Sequence, residues 1–412
     1  MHFLNKLVAL SLASAWSTCC LTDDLYAGDW LGFLGSSGDG FSFDVPEEWH
    51  EPKLIWKTNV AGECYGGIAV KDQYVVVTDH AEDGSKDFFL CVDAATGKEL
   101  WKVEVANGKE MDFGASPRAN PLILDELVYL VNAFGKVIAV QLADGKKVWE
   151  VDLVEDYGGK VPIWGYCASP IVAGGNLILM AGGEEGLIAL NPKTGLDVWI
   201  SECYDANYAG FLVEKFAGVE QIIGFDIKTL RGWSPKDGKE LWKLDLESPN
   251  GYIVPAPVKL KDKLLLVDDY HSARVYDFDA KGKIIDKVVL EGEDYSSELA
   301  TPLVVGDLVY FSSYNLACAD ADTLKTHWPL DMESNFEKEP FNSEMMTFIT
   351  NGTQLLVFTQ EGKLILLPVS KEEPKVLGMA QLTEETQALP ALSGKHFFVR
   401  DKERLYCYQL KP

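Results

Sequence analysis

The stretch CVDAATGKELWKVEV, residues 91–105, recurs along the chain with its glycine and tryptophan at a constant separation. Clear copies are AVQLADGKKVWEVDL at 139, ALNPKTGLDVWISEC at 189 and GWSPKDGKELWKLDL at 232. In each copy a glycine precedes a tryptophan by four residues; the pairs are Gly97 and Trp101, Gly145 and Trp149, Gly195 and Trp199, and Gly238 and Trp242. The chain is therefore built from repeated units.

Weaker copies continue the repeat towards the C-terminus. YDFDAKGKIIDKVVL at 276 keeps Gly282 and has Asp286 at the tryptophan position. CADADTLKTHWPLDM at 318 keeps Trp328 and has Leu324 at the glycine position, and LPVSKEEPKVLGMAQ at 367 keeps only the apolar pattern. A lone strand-like segment with Trp56, PKLIWKTNV, precedes the first complete unit.

The tryptophan spacing indicates the fold. From Trp56 the intervals are 45, 48, 50 and 43 residues, and Trp328 follows Trp242 after 86, which is twice 43. Units of this length with four short strands are typical of β-propeller blades. We predict units at residues 64–105, 115–153, 168–202, 210–246, 254–290, 300–331 and 345–381.

The C-terminal segment supplies three strands and no fourth, whereas the segment around Trp56 is a strand without partners. We expect an eighth blade that pairs residues 388–410 with residues 52–60, because this closes the ring and leaves no open edge between the first and last blades. The predicted fold is an all-β, eight-bladed propeller with tryptophan-docking repeats. The expected division is a signal peptide at 1–27, a leader segment at 28–49 and the propeller at 50–412.

The repeated residues have a structural explanation. Asp or Asn opens the turn with its side chain, glycine adopts a positive φ, and tryptophan in the outer strand packs against the neighbouring blade. The predicted structural residues are Trp56, Trp101, Trp149, Trp199, Trp242 and Trp328, with Gly97, Gly145, Gly195 and Gly238. Cys91, Cys318 and Cys407 stand where other units have alanine, so we expect them to be buried small apolar residues.

Charge and the N-terminus indicate location. With 63 acidic and 37 basic residues the formal charge is -26, which argues against nucleic acid and anionic membranes. Lys6 precedes an apolar run that ends near Cys20, the layout of a signal peptide, and no segment has the length of a transmembrane span. Cys19–Cys20 lack the preceding leucine of a lipobox. We expect an exported, periplasmic or extracellular, monomeric protein without a lipid anchor.

The repeat resembles the tryptophan-docking motif of pyrroloquinoline-quinone (PQQ) proteins, and GDWLGFLGSSGDGFS at 28–42 resembles the leader of exported PQQ-like repeat proteins. One branch comprises quinoprotein dehydrogenases, which the resemblance associates with PQQ, Ca²⁺, a vicinal cysteine pair, a tryptophan, a Glu/Asn/Asp calcium set and an aspartate base. The other is similar to the β-barrel-assembly propeller lipoprotein, which has no cofactor and binds partners through its loops. The blades contain no Cys–Cys pair, and we expect no bound cofactor, while PQQ with Ca²⁺ remains the alternative.

Few other residues suggest chemistry. The six histidines form no HxH or HExxH pair, which argues against zinc, and we interpret His80 and His271 as solvated loop residues. No catalytic, cofactor-binding or metal-binding residue is therefore assigned. The segments entering the inner strands carry Cys64 and Cys167 at equivalent positions, with nearby aromatic residues that can form a mouth for a peptide or sugar or pack within the blades: Tyr65, Trp164, Tyr166, Tyr252 and Tyr295.

These features predict a non-catalytic propeller scaffold that binds a protein partner or small ligand in the cell envelope. The alternatives are a PQQ-dependent alcohol or sugar oxidoreductase with a divergent site, and a carbohydrate-binding accessory protein.

Overall fold

The computed structural model describes residues 28–107, 111, 114–246, 251–292, 295, 297–313, 315–330, 343 and 345–412. The predicted signal peptide, with Cys19 and Cys20, lies outside the described residues. The described residues form thirty-two strands in eight four-stranded sheets, with a single 3-10 turn at Gly183–Glu185. All strand pairings are antiparallel, and each sheet is one blade.

The first strand, β1 (Lys53–Asn59), belongs to the last blade, and the other strands follow the chain in blade order. Blade 1 contains β2 (Ile68–Lys71), β3 (Tyr74–His80), β4 (Lys86–Asp93) and β5 (Glu99–Ala106). Blade 2 contains β6 (Leu122–Leu124), β7 (Leu127–Val131), β8 (Lys136–Gln141) and β9 (Lys147–Asp152). Blade 3 contains β10 (Ile171–Ala173), β11 (Asn176–Met180), β12 (Leu187–Leu190) and β13 (Asp197–Ser201). Blade 4 contains β14 (Leu212–Phe216), β15 (Val219–Phe225), β16 (Thr229–Trp233) and β17 (Glu240–Asp245).

The second half of the ring repeats this arrangement. Blade 5 contains β18 (Val258–Leu260), β19 (Lys263–Leu266), β20 (Arg274–Phe278) and β21 (Ile284–Glu291). Blade 6 contains β22 (Leu303–Val305), β23 (Leu308–Ser313), β24 (Asn315–Asp320) and β25 (Thr326–Leu330). Blade 7 contains β26 (Met346–Thr350), β27 (Gln354–Thr359), β28 (Lys363–Pro368) and β29 (Gly378–Gln381). Blade 8 contains β30 (Ala391–Ser393), β31 (His396–Arg400), β32 (Arg404–Gln409) and β1.

The eighth blade confirms the predicted ring closure. Its sheet order is β1-β32-β31-β30, so the first strand of the chain is the outer strand of the last blade. The register places Trp56 opposite Cys407 and Asn59 opposite Arg404. The prediction of an all-β, eight-bladed propeller is confirmed.

Burial explains why strand composition changes from the middle to the rim of a blade. All five residues of the middle strand β7 are buried because neighbouring blades cover both of its faces. The outer strand β9 buries only Trp149 and exposes the residues directly before and after it, because this strand lies at the rim. The hydrophobic clusters accordingly span adjacent blades, as where Trp101 of blade 1 packs with Val140 and Leu142 of blade 2.

Five of the repeated tryptophans each join one blade to the next. The Trp101 indole donates a 2.7 Å hydrogen bond to the Leu142 carbonyl in the turn of blade 2. Equivalent bonds run from Trp56 to Ala94, from Trp149 to Pro192, from Trp199 to Pro235 and from Trp328 to Ser370. Gly97 has a φ of 68°, and a Cβ there would overlap the Trp56 indole, so both backbone and space require glycine.

A small residue lies opposite the tryptophan in most blades. Cys91 pairs with Trp101, Ala139 with Trp149, Ala189 with Trp199, Gly232 with Trp242, and Cys318 with Trp328. Cys91, Cys318 and Cys407 are buried, and the six described cysteines are free thiols. Burial raises the pKa of the Cys91 thiol well above its ordinary value.

The junction of blades 4 and 5 departs from the repeat. The Trp242 indole donates to Oε1 of Gln221 in its own blade at 2.5 Å, and Gln221 Nε2 donates to the Gly282 carbonyl at 2.6 Å. The assignment of Asp286 to the tryptophan position was wrong, because two register shifts in β20 and β21 bring Val288 opposite Tyr276. A glutamine side chain therefore carries the inter-blade link here.

Candidate functional site

The segments that lead into the inner strands meet on the ring axis. They line a cavity of about 600 Å³ to which every blade contributes. One repeat position, four residues before the inner strand, supplies Arg118, Cys167, Tyr208, Val254 and Leu299 to its wall. The blades follow chain order round the ring, so residues from distant parts of the sequence become neighbours in this cavity.

The leader closes the other end of the axis. Trp30 forms a backbone bridge with Val70, and Ser42 donates to the Thr350 carbonyl, both at the far ends of inner strands. Between these anchors Phe33 packs against Gly210 and reaches the cavity wall. The leader thus forms the floor of the axial cavity.

Three aromatic rings form one arc of the wall. Trp164 lies 4.9 Å, centroid to centroid, from both Tyr208 and Tyr252, and the two tyrosine rings are 5.8 Å apart. These residues precede the inner strands of blades 3, 4 and 5. Burial raises the pKa of Tyr208 to about 12, so its hydroxyl is neutral at physiological pH.

A cationic group lies on the wall contributed by blade 2. The Arg118 guanidinium is 5.0 Å from the centre of the Tyr65 ring, within the range of a cation–π contact. Burial raises the pKa of the Cys167 thiol to about 11, and the neighbouring Arg118 charge opposes this rise. Cys167 is therefore a neutral thiol beside a positive charge.

Asn120 adds a buried amide beside this cation. It is 3% exposed, its Oδ1 accepts a bond from the Gly67 backbone N–H at 3.1 Å, and its backbone N–H donates to Ser169 Oγ at 2.9 Å. Its side-chain Nδ2 has no hydrogen-bond partner among the described residues. Because Asn120 and Ser169 both line the cavity, this wall offers polar groups to a ligand.

Carboxylates lie on the wall contributed by blades 5 and 6. Asp269 and Glu298 are exposed residues that line the cavity. Burial of its carboxyl raises the pKa of Asp269, and the negative charges of Asp268 and Glu298 act in the same direction. A third carboxylate, Asp39 of the leader, accepts bonds from the Ser37 hydroxyl and the Phe41 amide.

The structure places some of the singled-out residues on the axis and others elsewhere. Tyr65, Trp164 and Tyr252 line the cavity together with Cys167. Tyr166 and Tyr295 follow the packing alternative: the Tyr166 hydroxyl donates to the Ala181 carbonyl, and Tyr295 stacks on Phe311 at 4.3 Å, because both rings point into blade cores.

The other candidate residues have structural partners. Cys64 is buried, and its Sγ lies 2.9 Å from the Arg400 guanidinium. His80 Nδ1 lies 3.3 Å from the Asp87 carboxylate, and His271 Nδ1 lies 3.1 Å from that of Asp268. The two histidines are therefore half-buried members of polar contacts rather than fully solvated loop residues.

Sequence reasoning missed Arg118, Asn120, Tyr208, Asp269 and Glu298. The repeat contained one usable signal, since Arg118 and Tyr208 occupy the same position relative to the inner strand as Cys64 and Cys167. Comparing that position across all units would have found both residues.

A second feature lies on the rim of blade 3. Val198 and Ile200 of outer strand β13, and Leu196 directly before it, are 47%, 40% and 69% exposed, and β13 pairs with β12 on one edge only. Ile200 borders an open groove of about 620 Å³ between blades 3 and 4. In this groove the Tyr204 ring lies under Lys228 Nζ at 4.3 Å and under the Arg231 guanidinium at 5.3 Å.

The family model described as outer membrane protein assembly factor BamB matches residues 50–218, 90–253 and 226–411. The chain belongs to this family of PQQ-like repeat proteins. The resemblance read from the repeats is confirmed.

Individual relatives fall in both branches of the family. The outer membrane protein assembly factor BamB of Shewanella oneidensis is 23% identical over 260 residues, 63% of this chain and 61% of its own length. The quinoprotein alcohol dehydrogenase PedH of Pseudomonas putida is 30% identical over 151 residues, 33% of this chain and 24% of its own length. Both matches cover less than two thirds of the relative.

A solved structure gives a longer match. The crystal structure of BamB from Moraxella catarrhalis has a TM-score of 0.61 at 15% identity, covering 88% of this chain and 98% of that one. At this identity the likeness shows the fold alone.

The dehydrogenase branch implies PQQ and Ca²⁺, which can be tested against the residues on the axis. Ca²⁺ takes six to eight oxygen ligands, several of them carboxylates. The described residues contain no group of three or more His, Cys, Asp or Glu side chains placed to hold a metal. The cavity has Trp164 and Asn120, but its wall carries the single thiol of Cys167 rather than a vicinal pair. Among the described residues, neither a group of three such side chains nor a vicinal cysteine pair is present to hold Ca²⁺ and PQQ.

The described part of the chain also contains no helix with the length and apolar character of a membrane span.

Proposed function

We propose that this protein is an exported, non-catalytic scaffold that binds a protein partner in the cell envelope. Membership of the assembly-factor family over residues 50–411 supports this class of function. The observation that carries it is the exposed apolar row on β13, because monomeric proteins seldom leave a large apolar group of side chains on an unpaired strand edge.

The geometry of β13 suits addition of a partner strand. Its outer edge has no neighbour within the ring, so its backbone groups on that side can pair with an extended segment. Val198 and Ile200 lie in the strand on either side of the buried Trp199, Leu196 directly precedes the strand, and a register shift at Asp197–Trp199 places a bulge at Val198. The partner segment is expected to present apolar side chains to these exposed residues.

The adjacent groove adds charge to this surface. Arg231 is held by Asp226 at 3.0 Å and by Glu240 at 2.8 Å, so its guanidinium is fixed beside the Tyr204 ring. An aromatic residue next to a fixed arginine is typical of the centre of a protein interface. The overall charge of -26 favours a basic partner through long-range attraction.

Capture from envelope extract with matched variants tests this proposal. Ile200→Glu places a charge in the apolar row and should abolish capture of a partner that the unchanged protein retains stoichiometrically. Val148→Glu makes the same change on the outer strand of blade 2, at a residue that is also exposed, and should leave capture unchanged. Equal capture by all three proteins would contradict a partner site at β13.

The match to PedH supports the competing hypothesis, that the protein is a PQQ-dependent oxidoreductase. This hypothesis can be tested directly. The purified protein is incubated with PQQ and Ca²⁺, and dye-linked oxidation of alcohols and sugars is measured. We expect no turnover. Stoichiometric quinone absorbance together with substrate oxidation would contradict the scaffold proposal and show that the protein is an oxidoreductase.

A further inference from the structure

We propose that the axial cavity binds a short peptide with free termini and an aromatic side chain. This site lies on the ring axis, whereas the proposed scaffold surface lies on the rim of blade 3. The inference therefore goes beyond the proposed function and can fail or succeed independently of it.

Charges of opposite sign lie on opposite walls of the cavity, and Asp39 of the leader adds a third carboxylate. Arg118 precedes the inner strand of blade 2 and Glu298 that of blade 6, four blades further round an eight-bladed ring. Asp269 lines the cavity from the neighbouring blade 5. A ligand that satisfies both walls carries a negative and a positive group at opposite ends, as a peptide with free termini does.

The middle of the ligand must be apolar and aromatic. The arc between the two charged walls is formed by Trp164, Tyr208 and Tyr252, from blades 3, 4 and 5. Aromatic side chains pack against such rings in edge-to-face or offset arrangements. A central phenylalanine in a tripeptide would reach this arc while its termini face the charged walls.

The donors beside Arg118 specify the end of the peptide that carries the carboxylate. The Ser169 hydroxyl lines the same wall, and its oxygen accepts the Asn120 backbone N–H at 2.9 Å, so the hydroxyl can still donate to a ligand. A carboxylate accepts several hydrogen bonds at once, and those from charged donors are the strong ones. The peptide carboxylate therefore faces blades 2 and 3, and its ammonium group faces the exposed Asp269 and Glu298.

The volume of the cavity and the charges on its wall argue against other ligands. A volume of about 600 Å³ lies within the usual range for small-molecule sites, about 300–1,000 Å³. A nucleotide would bring several phosphate charges against Asp269, Glu298 and a strongly acidic protein. A neutral sugar would use the aromatic rings but neither set of charges.

Calorimetric titration of the full-length mature protein tests the inference. The probe is the tripeptide Ala-Phe-Ala, with Ala-Ala-Ala, N-acetyl-Ala-Phe-Ala and Ala-Phe-Ala-amide as controls. We expect each control peptide to bind about tenfold more weakly or worse, because each loses the ring contact or one charge-assisted bond. Equal binding of the acetylated or amidated peptide, or binding of none of them, overturns the proposal.

Protein variants locate the site. Arg118→Gln and Glu298→Gln should each weaken binding of Ala-Phe-Ala by about tenfold, as expected for loss of one charged hydrogen bond. Arg404→Gln, on strand β32, and Glu104→Gln, on the exposed rim of blade 1, are matched controls that should bind as the unchanged protein does. Unchanged thermal unfolding shows that each variant is folded.

Two further readouts separate this site from the rest of the molecule. Bound Ala-Phe-Ala should slow maleimide labelling of Cys167, which lines the cavity, whereas N-acetyl-glucosamine at the same concentration should not. Protection by the sugar instead of the peptide would overturn the peptide proposal. Capture of the partner by the Arg118→Gln variant should be unchanged, so failure of the axial site leaves the scaffold proposal standing.

Discussion

Trp56 in the first strand lies directly opposite Cys407 in the last strand, although the two residues are near opposite ends of the chain. The Trp56 indole donates to the Ala94 carbonyl of blade 1 at 2.8 Å, so one side chain joins the last blade to the first. Ring closure therefore depends on pairing the first strand of the chain with the last. This pairing costs more chain entropy than pairing neighbouring strands, because it closes a long loop.

Removing this side chain should open the ring. We expect Trp56→Ala to lower the free energy of unfolding by about 3–5 kcal/mol, the usual cost of a large aromatic deletion in a core. Trp56→Phe, which keeps a ring but loses the bond to Ala94, should cost about 1 kcal/mol. Urea unfolding followed by circular dichroism measures both, and a Trp56→Ala variant as stable as the parent would show that closure contributes nothing.

Gly97 should tolerate no side chain. Gly97→Ala combines a positive φ with overlap of the Trp56 ring, and we expect a loss on the order of 2–3 kcal/mol. Gly175→Ala is the control, since it has a φ of 78° and no neighbour within 4 Å, so it carries only the backbone strain of about 1 kcal/mol. Equal losses in the two variants would mean that the indole moves aside.

The glutamine link between blades 4 and 5 should be stabilising. Gln221→Met removes the hydrogen-bond partner of the Trp242 indole N–H and of the Gly282 carbonyl. We expect the free energy of unfolding to fall by about 2–4 kcal/mol, because two buried groups are left unpaired. Gln141→Met, at an exposed residue, should stay within about 0.5 kcal/mol of the parent. Thermal unfolding of both variants decides whether the bridge contributes.

Cys91 should behave as a small apolar residue. Because units 2 and 3 have alanine at this position, we expect Cys91→Ala to change the free energy of unfolding by less than about 1.5 kcal/mol. Cys91→Ser buries a hydroxyl in the same space and should destabilise the protein by about 1–3 kcal/mol. A serine variant more stable than the alanine variant would contradict the apolar assignment.

His396 should make the protein less stable in mild acid. Burial of the ring lowers its pKa to about 4 from an ordinary value near 6.5, and its Nδ1 has no hydrogen-bond partner among the described residues. Between pH 6.5 and 4 the unfolded chain binds this proton and the folded protein does not, so stability falls as pH falls.

Replacing this histidine should remove part of the pH dependence. We expect the loss of stability between pH 7 and pH 5 to be smaller in His396→Gln by on the order of 1 kcal/mol. His50→Gln, at an exposed residue of the leader, should leave the slope unchanged. Urea unfolding at the two pH values gives both differences, and a steeper slope in His396→Gln would reverse the assignment.

The sequence predicted the ring and its closure because both depend on local patterns. Strand alternation, turn residues and a glycine–tryptophan pair recur within each unit, so copies such as those at 91 and 139 reinforce one another. The prediction failed at Asp286, where β-bulges shift the register of blade 5. A bulge changes which residues pair, and the repeated residues do not show where it occurs.

The candidate site could be predicted only in part. Trp164, Tyr252 and Tyr65 were singled out as aromatic residues before inner strands, but Tyr166 and Tyr295 have the same description and point into blade cores. The direction of a side chain in an irregular segment depends on backbone geometry that the residue type does not reveal.

By itself, the sequence determined a repeating unit, its number and the pairing of the two chain ends, since each unit carries its own turn and packing residues. Only the tertiary structure decided the axial cavity. Arg118, Tyr208 and Glu298 lie in three different units and meet only when the ring is complete. No local pattern links them, because their proximity is a property of the closed ring and not of any single blade.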